Sequence, residues 1–348
     1  MKLEDFLYEL PEDLIAQVPL NDRDMSRLMV VDASEGSIRH NRFKDVLNYI
    51  HPGDCIVLND TRVIPARLNG FRKDTGGRVE LVLLREKERG RWEALAGPGR
   101  KARPGDRIVF GNGVLEAEVQ EITEEGNRIV KFHYAGIFQE VLDQVGVVPL
   151  PPYIHTRLKD PERYQTVYAR ERGSAAAPTA GLHFTVEMLD RIRSRGIDTA
   201  YVTLHVGLGT FRPVKVEDIE NHVMHEEYYQ VTPDAAAAIN RARQRGGRIM
   251  AVGTTSVRVL ESATDPDGLV NPMSGWTKLF IRPGYHFQSV DGMITNFHLP
   301  GSTLLMLVCA FAGRKLVLKA YNEAVSNRYR FFSFGDAMLL LSPRWNPG

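Results

Sequence analysis

The alternation of apolar and polar positions divides the chain into three stretches of different rhythm. In the first, helical and extended patterns take turns. "LPEDLIAQVPL" opens at a proline and carries apolar residues at helical spacing, which predicts a helix. "SRLMVVDASEGSIRHNRF" predicts two strands about a Ser-Glu-Gly turn. "FKDVLNYIHPGDCIVLNDTRVIPARL" predicts a short helix, a Pro-Gly stop, and an apolar strand ending in Asn59, Asp60 and Thr61. The second stretch has short alternating runs parted by Gly and Pro, such as "GDRIVFGNGVLEAEVQEI" and "NRIVKFHYAG". These predict a small all-β barrel or sandwich, closed by one helix in "IFQEVLDQVG". "VPLPPYI" reads as a linker out of it. The third stretch returns to helix and strand. "TVEMLDRIRSRGIDTAYVTLHV" predicts a helix stopped at Gly196 and then a strand. "TPDAAAAINRARQRGGRIMAVGTTSVRVLES" predicts a helix capped by Thr232 with Pro233 in its first turn, stopped at Gly246. Its strand then runs into a Gly-Thr-Thr-Ser turn that opens another helix. Helices alternating with strands imply a mostly parallel sheet. The expected organisation is one discontinuous α/β domain, 1–65 plus 149–348, interrupted by an inserted β domain, 66–148.

The 348 residues, 43% hydrophobic and 25% charged, suffice for a full core. A net charge of +1 means that any nucleic-acid contact requires charge gathered into a patch. Cys55 and Cys309 sit in apolar runs and read as buried, reduced thiols. The absence of CxxC argues against a structural zinc site or an iron–sulfur cluster. "MKLEDFLYEL" is acidic and amphipathic, unlike a signal peptide. The longest apolar stretch, Thr303–Ala312, is too short to span a bilayer. A soluble, cytoplasmic protein without membrane contact is expected.

Charge is segregated within the β stretch. Residues 66–112 hold twelve Lys or Arg against six Asp or Glu, and 113–146 hold two against seven. Solvated strand faces explain such a pattern, and so does a polyanion-binding face. "PGRKARPGDR", with Arg100, Lys101 and Arg103, is the compact basic loop that favours the second.

Candidate chemistry gathers where apolar strands end. "IVLNDTR" ends in Asp60. "YVTLHVGLGTFRPV" ends in His205, Gly207 and Gly209. "IMAVGTTSVRVLES" ends in Gly253, Thr254, Thr255 and Ser256, with Arg258 beyond. "MITNFHLPGSTLLML" ends in Asn296 and His298. Ligands of α/β sheets sit at such ends. "GLGT" lacks the third glycine of a dinucleotide loop. The Gly-Thr-Thr-Ser turn either caps its helix or offers amides to an anion such as a carboxylate, with Arg258 placed for a carboxylate fork. His222 and His225 stand three apart without a third metal ligand, so no metal site is expected. The run "GSAAAPTAGLHF" strips side chains before His183 and Phe184, which brings backbone close to a packed neighbour or a ligand.

"NDTRVIPARL", "VPLPPYI", "ERYQTVYA", "AAPTAGLHFT", "TLHVGLGTFRPV", "MHEEYY", "AVGTTSVRVLES", "ITNFHLPGSTLLMLVCAFAG" and "YRFFSFGDAML" together resemble the S-adenosylmethionine:tRNA ribosyltransferase-isomerase family of queuosine biosynthesis. The resemblance runs from Asp5 to Leu340. One departure is Gly301, where the family pattern has a basic residue. The resemblance implies a barrel-like α/β main domain carrying an inserted small all-β barrel. It implies that S-adenosylmethionine is consumed as a ribosyl donor, with no metal or redox cofactor. The implied acceptor is the aminomethyl group of 7-aminomethyl-7-deazaguanine at the wobble position of a tRNA with a GUN anticodon. Epoxyqueuosine-tRNA, adenine and methionine are the implied products, and a monomer is expected.

This chemistry needs a base near the sulfonium, and histidine is the default. His183 is the first candidate, because "AAPTAG" before it would let a ribose approach; Thr179 and Gly181 lie in that run. His205, His298 and Asp60 are rivals, and Asp60 would alternatively hold ribose hydroxyls or the acceptor ammonium. Gly253 to Ser256 with Arg258 would hold the methionine carboxylate. Phe184 would stack a base or adenine, or pack in the core. A conventional methyltransferase would want an early glycine-rich loop, for which "VVDASEG" is a poor substitute. A non-catalytic tRNA-binding module would leave the polar strand ends unexplained.

Overall fold

The computed structural model describes residues 1–156, 158–207 and 216–342. Gly209 lies outside them. In chain order the first strands are β1 (Arg27–Asp32), β2 (Ser37–Arg42), β3 (Cys55–Asn59) and β4 (Thr61–Val63). Then come β5 (Arg67–Arg72), β6 (Arg78–Glu88), β7 (Arg91–Gly97), β8 (Arg107–Phe110), β9 (Leu115–Ile122), β10 (Arg128–Tyr134) and β11 (Gly146–Val147), with α1 (Phe138–Val145) before the last. The remaining strands are β12 (Glu171–Ser174), β13 (Asp198–Leu204), β14 (Glu227–Val231), β15 (Ile249–Val252), β16 (Met273–Thr277), β17 (Gly292–Asn296) and β18 (Ala337–Leu341). Among them lie α2 (Val186–Ser194), α3 (Pro233–Gln244), α4 (Gly253–Ala263), α5 (Thr303–Ala312) and α6 (Arg314–Ser326). The chain forms two compact units. One comprises Met1–Thr61, Pro152–Glu171 and Ala177–Gly348; the other comprises Arg62–Pro151 and Arg172–Ala176.

The larger unit is built on a nine-stranded sheet in the order β16-β14-β13-β3-β15-β17-β18-β1-β2. Its strands β3, β15 and β17 are buried end to end, as expected where helices cover both faces. On one face Ile56, Leu58, Met250, Val252 and Ile294 meet Phe43, Phe184, Met188 and Ile192. Helices α3, α4, α5 and α6 also pack on the sheet. Thr232 caps α3 by accepting from the Ala235 amide, with Pro233 at the start, as the sequence predicts.

Two expectations need correction. The sheet is mixed rather than mostly parallel: β2, β14 and β16 pair antiparallel with their neighbours, and so do β17 and β18. A tight turn such as that between β1 and β2 can only return the chain antiparallel. The predicted helix in "LPEDLIAQVPL" is a single turn, Glu12–Leu14. Ile15 instead bridges Phe331, and the Phe331 amide donates to the Leu14 carbonyl at 2.8 Å. Leu14 and Ala16 are buried on either side of the half-exposed Ile15. Pairing with a distant segment overrides the local helical spacing.

In the smaller unit β5, β6, β7, β10, β9 and β8 follow one another, and β8 pairs back onto β5. That closes an antiparallel barrel and leaves it without a free edge among those strands. Leu68, Leu81, Ala94, Ile108, Ala117 and Val130 fill it, and Phe138 and Leu142 of α1 pack against them.

Candidate active site

Strands β13, β3, β15 and β17 lie side by side and parallel, so their C-terminal ends share one edge of the sheet. Among the described residues, the polar clusters predicted from sequence stand on that edge. It borders a cavity of about 690 Å³, a volume that includes the open solvent at its mouth. Thr179, Gly253, Thr254, Thr255, Asn296 and His298 line it, together with Tyr153, Thr295, Phe332 and Ser333.

The small-residue run serves two ends. Ala177, Pro178, Thr179 and Ala180 face the cavity. Gly181 does not: a Cβ there would lie 2.0 Å from the Tyr168 hydroxyl oxygen and 2.8 Å from Thr166 Cγ2. Its bareness serves a packed neighbour. Phe184 is fully buried, edge-on to Phe43 at 5.1 Å, and belongs to the core rather than to a stacking platform.

The three histidines differ in their freedom. His183 is buried and stacked on Phe43 at 4.9 Å. Its Nδ1 meets Ser26 Oγ at 2.8 Å and its Nε2 meets Asn296 Nδ2 at 3.1 Å. An amide nitrogen only donates, so Nε2 accepts and the proton sits on Nδ1. Asn296 Oδ1 in turn accepts from Thr179 Oγ1 at 2.9 Å. Burial first, then the charge of Arg330, push His183 down to about 3. It is a neutral ring with both nitrogens engaged, one hydrogen bond behind the cavity wall. His205 is stacked on Tyr228 at 5.6 Å and bonded through Nδ1 to Thr61 Oγ1 at 2.8 Å. Burial lowers its pKa. His298 lines the cavity itself. Its Nε2 meets Thr295 Oγ1 at 2.8 Å, and Nδ1 has no hydrogen-bond partner among the described residues. Desolvation pushes it down to about 3, so it too is neutral.

Asp60 is fully buried and faces inward. Its Oδ1 accepts from Thr203 Oγ1 at 2.7 Å, and its Oδ2 pairs with Arg170 Nε at 2.8 Å. Burial raises its pKa against those partners. Its carbonyl also accepts from the Arg170 and Glu171 amides, so it fastens that segment to the end of β3. Arg258 forms a buried ion pair with Glu227 and donates to the Leu279 carbonyl at 3.1 Å. The fork foreseen for a ligand carboxylate is thus occupied by the protein's own carboxylate. Glu227 also accepts from the Gly207 amide at 3.0 Å. Ser256 Oγ bonds back to the Val252 carbonyl at 2.7 Å and is buried. The rest of the turn is open: α4 has no side-chain cap, Gly253 takes φ +87°, and Thr255 Oγ1 is buried without a partner. Uncapped amides at a helix start are an anion site in waiting. Gly301, at φ +66°, sits where a side chain would press on Leu3 and Leu7.

Tyr153, Ser26, Thr295 and Ser333 escaped the sequence reading. Tyr153 lay within the stretch read as a linker. Its hydroxyl meets Ser333 Oγ at 2.7 Å, and its ring lies 4.7 Å from Phe332. Phe332 is held at φ +68°, a conformation that costs a bulky residue roughly 1–3 kcal/mol. Lone serines and threonines carry no signal in one sequence.

In the barrel unit much of the segregated charge cancels across strands. Lys73 pairs with Glu116, Arg107 with Glu116 and Glu118, and Arg91 with Glu121. Arg100 and Arg103 stay exposed and Lys101 half-exposed, without an ion pair among the described residues. Arg128 pins their loop by donating to the carbonyls of Gly99 at 2.7 Å and Ala102 at 2.9 Å. Among the described residues no group of three or more His, Cys, Asp or Glu is placed to hold a metal, and no helix is long and apolar enough to cross a membrane.

Comparison with known proteins bears on all of this. Residues 3–340 match the family described as queuosine biosynthesis protein. An S-adenosylmethionine:tRNA ribosyltransferase-isomerase of Acetivibrio thermocellus is 62% identical over 98% of this chain and 100% of its own length. One of Caldanaerobacter subterraneus is 61% identical over the same shares. The crystal structure of an S-adenosylmethionine tRNA ribosyltransferase from Thermotoga maritima is 40% identical over 97% of this chain and 100% of that one, with a TM-score of 0.56. The chain therefore belongs to the queuosine biosynthesis protein family, and it is an enzyme of that family, a ribosyltransferase-isomerase.

Proposed function

We propose that the protein moves and isomerises the ribosyl group of S-adenosylmethionine onto the aminomethyl group of 7-aminomethyl-7-deazaguanine at the wobble position of a GUN-anticodon tRNA. The products are epoxyqueuosine-tRNA, adenine and methionine, and S-adenosylmethionine is consumed rather than recycled. The observation that carries this reading is the full-length identity of 62% to a relative of that name. The sulfonium acidifies the adjacent 5′ C–H. A base takes that proton, the pair left on carbon drives adenine out, the acceptor amine attacks, and epoxide closure displaces methionine. His298 is the proposed base. It lines the cavity, it is neutral, and its Nδ1 is uncommitted. His183, with both nitrogens bonded, holds Asn296 and through it Thr179 in place. The open first turn of α4, with the Thr255 hydroxyl, is proposed for the methionine carboxylate.

The test is single-turnover adenine release from S-adenosylmethionine with tRNA carrying the deazaguanine amine. His298→Ala is expected to lose about 10²-fold or more while still binding S-adenosylmethionine. An unchanged rate would move the base to another residue. Release of S-adenosylhomocysteine instead would make the protein a methyltransferase, and no small-molecule product would leave a binding module.

A further inference from the structure

A second, shallow cavity, of about 310 Å³ with the open solvent at its mouth included, lies in the same unit, and Ser333 belongs to the walls of both. Arg23 and Arg163 line it, with Ser26 and His183. Both guanidiniums are fixed by neutral acceptors only. Arg23 donates to the carbonyls of Leu182 at 3.1 Å and Glu162 at 3.2 Å, and Arg163 donates to those of Asn21 at 3.1 Å and Leu20. Neither makes an ion pair with a carboxylate among the described residues; Asp160 and Glu162 act on Arg23 through space alone. Arg163 Nε is buried with no partner at all. Arg330, held by the carbonyls of Val18 and Phe334, adds positive charge beside His183. Burial and the neighbouring Arg163 charge both depress Arg23.

Like charges taken partly out of water, with carboxylates near them but none in contact, are favoured by an anion that joins them directly. Planar guanidiniums suit a phosphate, which they can grip through paired N–H donors. The enclosed part of the cavity is too small for a nucleoside, so a phosphate would sit at its open mouth, against the two guanidiniums. The cavity is coupled to the first by the shared Ser333 and by the hydrogen bond from Asn296 to His183. A nucleotide whose base is turned out of its stack into one cavity carries its phosphate within reach of the next. We propose that the Arg23–Arg163 cavity takes a phosphate group of the RNA strand, the one flanking the nucleotide whose base enters the first cavity. This rests on the proposed function above.

The experiment measures the affinity for tRNA carrying the deazaguanine amine over a salt series, for the wild type, Arg163→Gln and Arg163→Lys. The slope of log affinity against log salt is expected to flatten by about 0.7–0.9 in Arg163→Gln, the loss of one phosphate contact, and to return in Arg163→Lys, which keeps the charge. S-adenosylmethionine affinity without RNA is expected to stay at the wild-type value in both. An unchanged slope in Arg163→Gln overturns the proposal. So does an equal loss in Arg163→Lys, which would make the carbonyl bonds, not the charge, the role of Arg163. Weakened S-adenosylmethionine binding with an intact RNA slope would assign the cavity to the methionine carboxylate. A wild type that releases no adenine would defeat the proposed reaction alone, because the slopes read phosphate binding without turnover.

Discussion

At the scale of single residues, His183 shows how burial and chemistry pull apart. A histidine at the end of a glycine-alanine run invites the role of base, yet its two nitrogens are already bonded to Ser26 and Asn296. Its pKa, down to about 3 when folded, has a consequence for stability. In the unfolded chain the ring titrates near its ordinary 6.5. Below that pH the unfolded state takes up a proton that the folded state refuses until about pH 3, so stability rises with pH across this window and is flat above it. The slope is about 1.4 kcal/mol per pH unit for one group. Between pH 5 and pH 7.5, His183→Gln should therefore lose about 2 kcal/mol less than the wild type, as read by denaturant unfolding at both pH values. An identical loss in the two proteins would mean that His183 is protonated in the folded chain.

At the scale of elements, the strand edge was legible and its partners were not. Apolar runs ending in Asp60, His205, Gly253 and Asn296 announce parallel strands with functional ends, because ladder-buried strands must stop before polar side chains can reach solvent. The partners of those side chains come from far along the chain. Ser26 is 157 residues from His183, and Asn296 is 113 residues from it. No periodicity carries such a pairing, and the same is true of Glu227, which takes Arg258 away from any ligand. The short "AAPTAG" element carried half of its meaning. Its bareness was visible, whereas the tyrosine that demands it at Gly181 was not. Gly181→Ala should cost about 1–3 kcal/mol by overpacking, because the new methyl would lie 2.0 Å from the Tyr168 hydroxyl oxygen. That oxygen is buried and has no hydrogen-bond partner, so Tyr168→Phe makes room and breaks no bond. The double variant should recover part of the loss in melting temperature, since Thr166 Cγ2 still lies 2.8 Å from the new methyl. If it recovers none, Thr166 Cγ2 rather than the hydroxyl excludes a side chain at Gly181.

At the scale of the whole molecule, near-zero net charge conceals a local surplus. The sequence polarity of the barrel unit is mostly an in-sheet device, since β8 lies beside β9 and their Arg107 and Glu118 stand in register. A count along the chain therefore overstates the field. Among the cations that survive cancellation, Arg100, Lys101 and Arg103 are gathered in one loop, held in shape by Arg128. If that loop grips the phosphates of the tRNA backbone, replacing all three by Gln should flatten the salt dependence of tRNA binding by roughly 2–3 units of log–log slope, at 0.7–0.9 per contact. Adenine release at saturating tRNA should be untouched, because none of the three lines the cavity at the strand ends. Arg128→Gln separates shape from charge: the three cations remain, so affinity should fall while the slope changes by no more than about one contact. A triple variant with the wild-type slope would place the backbone of the RNA on another surface. A triple variant that slows adenine release at saturating tRNA would tie the loop to chemistry rather than to docking.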